Sequence, residues 1–334
     1  MRILVTGGAG YIGGTFSYEA LKREHEILVL DNFSNSKPSQ IESLKRTFTN
    51  NFSFEKVDLA LEESKLQKIF SDFKPEIVVH FAGLKSVSES QEQPIRYWHN
   101  NVVSTANLLK AMVESNTKKI VFSSSATVYG ESSLQPIPET AEIKSMSVYG
   151  STKIAIEEML SDAAVNSIID VVSLRYFNPV GAHKEKVIFE NPFDSPNNIM
   201  PRIIRVALGL DEKLQIYGND YPTNDGSGER DYIHILDLVS GHFAAMDFIK
   251  KNSGENIFNL GTGTSTSVYH LIKTFESVNA VKIPYHTTER RKGDVAICYA
   301  DPIKAEEILN WKTKYTLNEM CKDAWEGVKD HGLN

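Results

Sequence analysis

Short runs of β-branched and aliphatic residues alternate with amphipathic helical stretches through the first half of the chain: Ile3–Val5, Ile27–Leu30, Phe52–Val57, Ile77–Phe81, Ile120–Ser123 and Val171–Leu174. That alternation predicts parallel strands joined by crossover helices. The runs are nearly continuous in apolar character, as expected of strands covered by helices on both faces. The fold class that follows is α/β, a doubly wound parallel sheet. After Tyr176 the texture changes to a loop-rich segment, Asn178 to Asn198, with two prolines of its own besides Pro179. Helical patterns follow at Ile199–Leu210, Leu236–Lys250, Ser267–Val278, Ile303–Leu309 and Leu317–Lys329. A nucleotide-binding domain over 1–177 and a smaller mixed α/β domain over 178–334 are therefore expected, the second free to return elements to the first.

The length of 334 residues suits two associated lobes. The net charge of −7 is dispersed along the chain, which argues against a nucleic-acid footprint or a polybasic membrane anchor, so the charged partner should be small. Cys298 and Cys321 lie far apart, which excludes a disulfide framework and a zinc knuckle, and no metal site is expected. The first residues show no signal-peptide or transit-peptide pattern, and no apolar run approaches the roughly 20 residues of a membrane span. A reducing cytoplasmic home is the expectation.

Gly7, Gly10 and Gly13 form G-x-x-G-x-x-G between the first strand and a helical stretch beginning near Tyr11. Such a turn is tight, admits a pyrophosphate without steric block, and lets the helix N-terminus offer N–H groups to phosphate oxygens. Asp31 ends the second strand 24 residues after Gly7. A carboxylate there accepts from ribose hydroxyls and repels a 2′-phosphate, which favours NAD over NADP in a Rossmann domain. Asp58, ending the third strand, suits either an adenine contact or an ordinary loop carboxylate.

Tyr149 and Lys153 stand four apart at the start of a helical stretch that runs to about Ala164, so phenol and ammonium share one face. An ammonium about 4 Å from a phenolate is worth roughly 4 kcal/mol at an effective dielectric of about 20, or about three pKa units. That is enough to bring a phenol near 7, where general acid–base catalysis works best. Ser125 closes a serine run at the end of the fifth strand, facing the cofactor crevice, where its hydroxyl can relay a proton to Tyr149.

The strings Val5-Thr-Gly-Gly-Ala-Gly-Tyr-Ile-Gly13, His80-Phe-Ala-Gly-Leu-Lys85, Ser123-Ser-Ser-Ala-Thr-Val-Tyr-Gly130, Arg175-Tyr-Phe-Asn-Pro-Val-Gly181, Gly218-Asn-Asp-Tyr-Pro-Thr and Arg230-Asp-Tyr-Ile-His234 make the chain resemble the UDP-glucose 4-epimerase family of extended short-chain dehydrogenase/reductases over essentially its full length. The resemblance implies NAD contacts at Tyr11, Ile12, Asp31, Asn32, Asp58, Leu59, Phe81, Ala82, Gly83, Lys85, Asn100, Tyr149, Lys153 and Phe177. It implies nucleotide-sugar contacts at Lys85, Ser125, Tyr149, Asn178, Asn198, Arg230, Arg291 and Asp294. One departure is Gly14-Thr15, where the family commonly has Ser-His. The implied reaction is NAD-dependent 4-epimerisation of UDP-hexoses through a transient 4-keto sugar, with Tyr149 as acid/base, Lys153 tuning it and Ser125 relaying the proton.

The family also places the residue four after Asp294 beside the sugar, where a tyrosine resembles a gate against N-acetyl groups. That residue is Cys298, which implies additional turnover of UDP-N-acetylglucosamine and UDP-N-acetylgalactosamine. In an extended segment neighbouring residues face opposite sides, so Tyr299 is the competing occupant. The resemblance further implies a homodimer through helices near Asn101–Ser115 and Lys153–Ala164, whose apolar positions are equally able to cover the sheet. Two rival functions remain open: a nucleotide-sugar 4,6-dehydratase or decarboxylase of the same fold, and a non-catalytic NAD-sensing regulator. Dehydratases carry Thr-Asp-Glu after the fifth strand, whereas Ser125-Ala126-Thr127 supplies no acid. A sensor needs no catalytic pair.

Overall fold

The computed structural model describes residues 1–190, 196, 198–291 and 293–329. Seven strands form the main sheet in the spatial order Glu255–Leu260, Asp170–Tyr176, Lys119–Ser125, Ile77–His80, Arg2–Thr6, Glu26–Asp31 and Phe52–Lys56. Arg2–Thr6 pairs in parallel with both Glu26–Asp31 and Ile77–His80, and Ile77–His80 pairs in parallel with Lys119–Ser125. The chain thus builds outward from its first strand in one direction, then crosses over and builds outward in the other. The reversal leaves a crevice at the carboxyl ends of Arg2–Thr6 and Ile77–His80, the switch point where open α/β sheets bind ligands.

The doubly wound α/β fold expected from the apolar runs is the one found. Leu4, Leu28, Val78, Phe122 and Val171 of the strands are buried against Leu66 and Phe70 of the helix Glu63–Phe73, Leu108 and Met112 of the helix Ser104–Glu114, and Ile156 and Leu160 of the helix Val148–Val165. Burial on both faces explains why these strands read as unbroken apolar runs. No strand is expected at Glu255–Leu260 from the sequence pattern. That segment is only half apolar, and its first three residues are partly exposed, as befits the edge of the sheet.

Two compact units divide the chain, one of Met1–Val128, Ser145–Arg175 and His242–Phe258, the other of Tyr129–Lys144, Tyr176–Gly241 and Asn259–Asn334. The second unit carries three small sheets. Asn178–Val180 pairs in parallel with Tyr232–His234, and Leu214–Tyr217 with Tyr285–Thr288. Glu229–Arg230 lies between Thr266–Ser267 and Ile297–Cys298. Its core joins Met200, Ile203, Leu214, Ile216, Leu271, Phe275, Met320 and Cys321. The loop expected from Asn178 to Asn198 begins as a strand, because Asn178–Val180 finds a pairing partner more than 50 residues away; residues 191–195 and 197 lie outside the described residues. Among the described residues no helix is long and apolar enough to cross a membrane, and no cluster of metal-ligating side chains forms. Cys298 and Cys321 are free thiols.

Candidate active site

The glycine turn leaves the first strand at the switch point. Gly7 adopts φ +68°, and a Cβ there would lie 2.7 Å from the Ala82 backbone nitrogen; a Cβ on Gly13 would strike the Gly7 carbonyl oxygen. Both positions therefore exclude side chains for steric reasons, and the turn closes through Gly10 N–H donating to Gly7 O at 3.2 Å. The helix Tyr11–Lys22 begins with Gly10 as N-cap and no side-chain cap, which leaves its amino end open to an anion. Gly14 and Thr15, the departure from the family pattern, lie within that helix; the Thr15 hydroxyl donates to Tyr11 O at 2.8 Å. Asp31 caps the turn from the second strand: its carboxylate accepts from Ala9 N at 3.0 Å, Phe33 N at 2.8 Å and Ser36 Oγ at 3.0 Å. Burial raises the Asp31 pKa, and those three donors hold it back.

Asn32 donates to Asp58 Oδ2 at 2.9 Å, tying the ends of the second and third strands, and Leu59 is buried beside them. The loop Phe81–Lys85 leaves the fourth strand next to Gly7. Asn100 lies in a π-helical turn, Trp98–Val103, and donates to Asn101 Oδ1 at 3.1 Å. π-turns of this kind recur at functional sites.

Ser125, Tyr149 and Lys153 come together where the fifth strand ends. Ser147 caps the helix Val148–Val165 by accepting from Gly150 N at 3.1 Å, which sets Tyr149 in the first turn. The Tyr149 phenol is hydrogen-bonded to Ser125, whose hydroxyl also accepts from Thr127 Oγ1 at 3.0 Å. Lys153 is buried and its Nζ donates to the Ser123 carbonyl at 2.7 Å. The charge arithmetic expects the phenol near 7, and the structure does not place it there. Burial pushes it up to about 12, opposed only by the Ser125 bond. The physical reason is twofold: loss of solvent disfavours the phenolate, and the ammonium is committed to a carbonyl, 5.8 Å from the Tyr149 ring centroid.

Two residues unassigned by the sequence reading hold these pieces together. His80 Nδ1 lies 2.6 Å from Thr6 Oγ1 and Nε2 lies 2.9 Å from Thr105 Oγ1. Because Thr105 Oγ1 donates to Asn101 O and Thr6 Oγ1 accepts from Ala82 N, the network assigns a neutral imidazole with its proton on Nε2. Burial, aided by the Lys153 charge, lowers the His80 pKa to about 3. Asn101, 1% exposed, accepts from Leu84 N and donates to Leu84 O and to Thr152 Oγ1, so one amide joins the Phe81–Lys85 loop to the Tyr149 helix. A histidine ending an apolar strand and an asparagine beside Asn100 were the available signals.

Phe177, Asn178, Asn198, Arg230, Arg291, Asp294 and Cys298 belong to the second unit. Phe177 N donates to Leu260 O at 3.4 Å and Asn178 N to Asp231 O at 3.0 Å. Asn198 is the N-cap residue of the helix Ile199–Ala207 and donates to Glu190 Oε1 at 2.8 Å. Arg230 Nη1 donates to the Glu229 carbonyl at 2.8 Å, and Arg291 Nε to Asp294 Oδ2 at 3.1 Å. Cys298 is the registered partner of Arg230 in parallel strands, so their side chains leave the sheet on one face and Tyr299 on the other. Burial drives the Cys298 thiol up to about 11, partly offset by Arg230. Asp231 fixes this register from beneath: its buried carboxylate accepts from Thr262 N, Gly263 N and Ala300 N. Tyr221 was missed. Its ring lies under the Arg290 guanidinium at 4.2 Å, and its buried hydroxyl has no hydrogen-bond partner among the described residues.

A family model described as GDP-mannose 4,6-dehydratase matches residues 4–324. The chain is 46% identical to the UDP-glucose 4-epimerase of Bacillus subtilis over 97% of its own length and 96% of that protein. It superimposes with a TM-score of 0.95 on the UDP-glucose 4-epimerase of Bifidobacterium longum solved with NAD+ and UDP, at 40% identity and 99% coverage of both chains. It also matches the UDP-Glc/GlcNAc 4-epimerase of Campylobacter jejuni with a TM-score of 0.84 and 35% identity, over 98% of this chain and 99% of that one.

Proposed function

The chain belongs to the UDP-glucose 4-epimerase family, within the wider group that the GDP-mannose 4,6-dehydratase model describes, and from that premise we propose that it interconverts UDP-galactose and UDP-glucose with NAD as cofactor. The observation that carries the reading is the Ser125, Tyr149 and Lys153 set at the end of the fifth strand, with Ser125 and Lys153 buried and Tyr149 half-buried. The residues fit NAD: Gly7 and Gly13 leave a cradle that a Cβ would fill, the helix after it starts without a side-chain cap, and Asp31 ends the second strand. When bound, NAD supplies reversible acceptance of a hydride from carbon 4 of the hexose.

This chain's own residues move the proton. Tyr149 takes it from the 4-hydroxyl, directly or through Ser125, and gives it back after the sugar has turned. Burial holds the Tyr149 phenol at about 12 with only the Ser125 bond opposing it, and Lys153, one helical turn on, is the proposed counter-charge for the phenolate once the sugar is bound. Inversion requires the 4-keto sugar to present its other face, so the diphosphate must be gripped while the hexose is loosely held. Arg230 and Arg291 are the proposed grip, since guanidinium forks match phosphate oxygens. Cys298, on the same face as Arg230, leaves room for an acetamido group at carbon 2, which supports turnover of the N-acetylhexosamine pair as well.

Exposed apolar side chains at Ile95, Trp98, Val113 and Val165, on or beside the two helices expected to mediate association, support a homodimer, which sedimentation would test; a monomer would reject it. Two free thiols are consistent with a cytoplasmic setting. The function is tested by incubation with UDP-galactose, without and with added NAD, followed by separation of the sugars. A mixture of gluco and galacto epimers with no net NADH is expected. A stable 4-keto-6-deoxy sugar would instead establish a dehydratase.

A further inference from the structure

Three consecutive serines at the end of the fifth strand address three successive turns of one helix. Ser125 bonds the Tyr149 phenol, the Ser123 carbonyl accepts from Lys153 Nζ, and the Ser124 hydroxyl bonds the Glu157 carboxylate. Tyr149, Lys153 and Glu157 are each four residues apart and so share a face. Glu157, 5% exposed, also holds Arg175 of the adjacent strand: Nε donates to its two oxygens at 3.0 and 3.2 Å, and Nη2 to Oε2 at 2.6 Å. Arg175 is 1% exposed.

Stability alone does not account for such a pair. Removing two ions from water is costly, and a well-packed apolar pair of similar volume commonly does as well or better. What an apolar pair lacks is a bond to Ser124 and a negative charge one helical turn from Lys153.

We propose that Glu157, held by Arg175, is a positioning residue for the acid–base pair: it sets the Tyr149 helix against the serine strand and keeps the Lys153 side chain charged. This rests on the roles given to Tyr149 and Lys153 above. Burial pulls the Lys153 ammonium down to about 8, and the Glu157 carboxylate is the group that opposes the fall. Among the described residues, no other group facing Lys153 supplies negative charge that shifts it. Tyr149 on its own helix is a neutral phenol, and His80 from the fourth strand is a neutral imidazole. The serine strand contributes only the Ser123 carbonyl and the Phe122 ring, 4.7 Å from Nζ, while Arg175 from the sixth strand is cationic and paired with Glu157. The helices Val87–Glu92 and Pro94–Tyr97 and the π-helical turn Trp98–Val103, all packed against the same helix, add no charge that shifts Lys153.

The test compares variants of the full chain in UDP-galactose turnover. In Glu157→Gln/Arg175→Met both charges go together, so no buried ion is stranded. At neutral pH kcat should fall at least about 10-fold with KM within about 2-fold, and the alkaline limb of kcat should move about one unit lower, as a lysine that has lost a nearby carboxylate deprotonates earlier. Titration of labelled Lys153 by NMR should move the same way. Ser124→Ala, which removes only the bond to Glu157, should lower kcat several-fold and leave the limb in place. Glu157→Asp keeps the charge and should restore the limb. A folded double variant with the wild-type limb and kcat overturns the proposal. If the double variant does not fold, unchanged kcat in Ser124→Ala together with wild-type Lys153 titration in Glu157→Gln overturns it. A wild type that does not turn over UDP-galactose would instead defeat the functional reading itself.

Discussion

The polar groups around the serine strand of the first unit and the candidate nucleotide-binding donors of the second are held in opposite ways. Around the serine strand of the first, nearly every polar side chain is spent on a neighbour: Lys153 on Ser123, Glu157 on Ser124 and Arg175, His80 on Thr6 and Thr105, Asn101 on Leu84 and Thr152. In the second, the donors expected to meet a nucleotide keep capacity in reserve. Among the described residues Arg230 commits only Nη1, and to backbone carbonyls; Arg291 commits only Nε; the Tyr221 hydroxyl commits to nothing. A preorganised acid–base centre suits chemistry that must not reorganise at the moment of reaction. Unspent donors suit a region whose partners arrive with the ligand, because a buried donor without an acceptor gains most when one is supplied.

On the proposed roles, substitutions in the first cluster should show in kcat and those in the second in binding. The largest effect is expected for Tyr149→Phe, with turnover of UDP-galactose lowered at least about 100-fold and UDP affinity little changed. Near-normal turnover in the folded variant would break the assignment of Tyr149. Arg230→Met should do the converse, raising the Kd of UDP about 10- to 100-fold, the scale of a lost charge-assisted hydrogen bond, with a smaller change in kcat; calorimetry with UDP alone reads it.

Cys298→Tyr sharpens the comparison within the second unit. Activity on the N-acetylhexosamine pair should drop to below about a tenth while the plain hexoses are spared, the selective result expected when added bulk meets one substrate and not the other; an unchanged substrate ratio rejects the gate. Tyr221→Phe removes a hydroxyl that has no hydrogen-bond partner among the described residues. It should leave thermal stability unreduced and weaken UDP binding about 3- to 10-fold, and equal binding would show that this hydroxyl never meets the ligand.

A further prediction concerns pH and stability rather than turnover or binding. His80 titrates near 3 when folded against an ordinary 6.5, so the unfolded chain binds the extra proton and stability falls as pH drops below 6.5. Between pH 6.5 and 5 this one group should cost about 1–2 kcal/mol. Denaturant melts of wild type and His80→Gln across that window measure it, and parallel slopes would show that the imidazole is not the source.

The central strands were legible because each is buried on both faces and so leaves an apolar run: the expected Ile27–Leu30 and Val171–Leu174 lie inside the observed Glu26–Asp31 and Asp170–Tyr176. Glu255–Leu260 and Asn178–Val180 left no such mark, since short strands with polar residues exist through their partners. Likewise the glycine turn and the four-residue spacing of Tyr149 and Lys153 are local facts that a linear pattern records. Glu157 continues the same spacing by one more step, yet its meaning depends on Arg175, which stands on a different strand.

The sequence by itself determined which residue types occupy the turn, the helix face and the strand end, because sterics at Gly7 and helical periodicity act over a few residues. Only the tertiary structure decided how those groups are charged. Coulomb arithmetic on an isolated pair put the Tyr149 phenol near 7, and burial put it at about 12. Desolvation depends on everything folded around a group, and so does the register that pairs Cys298, rather than Tyr299, with Arg230. Both are properties of contacts between segments far apart in the chain, which no local pattern encodes.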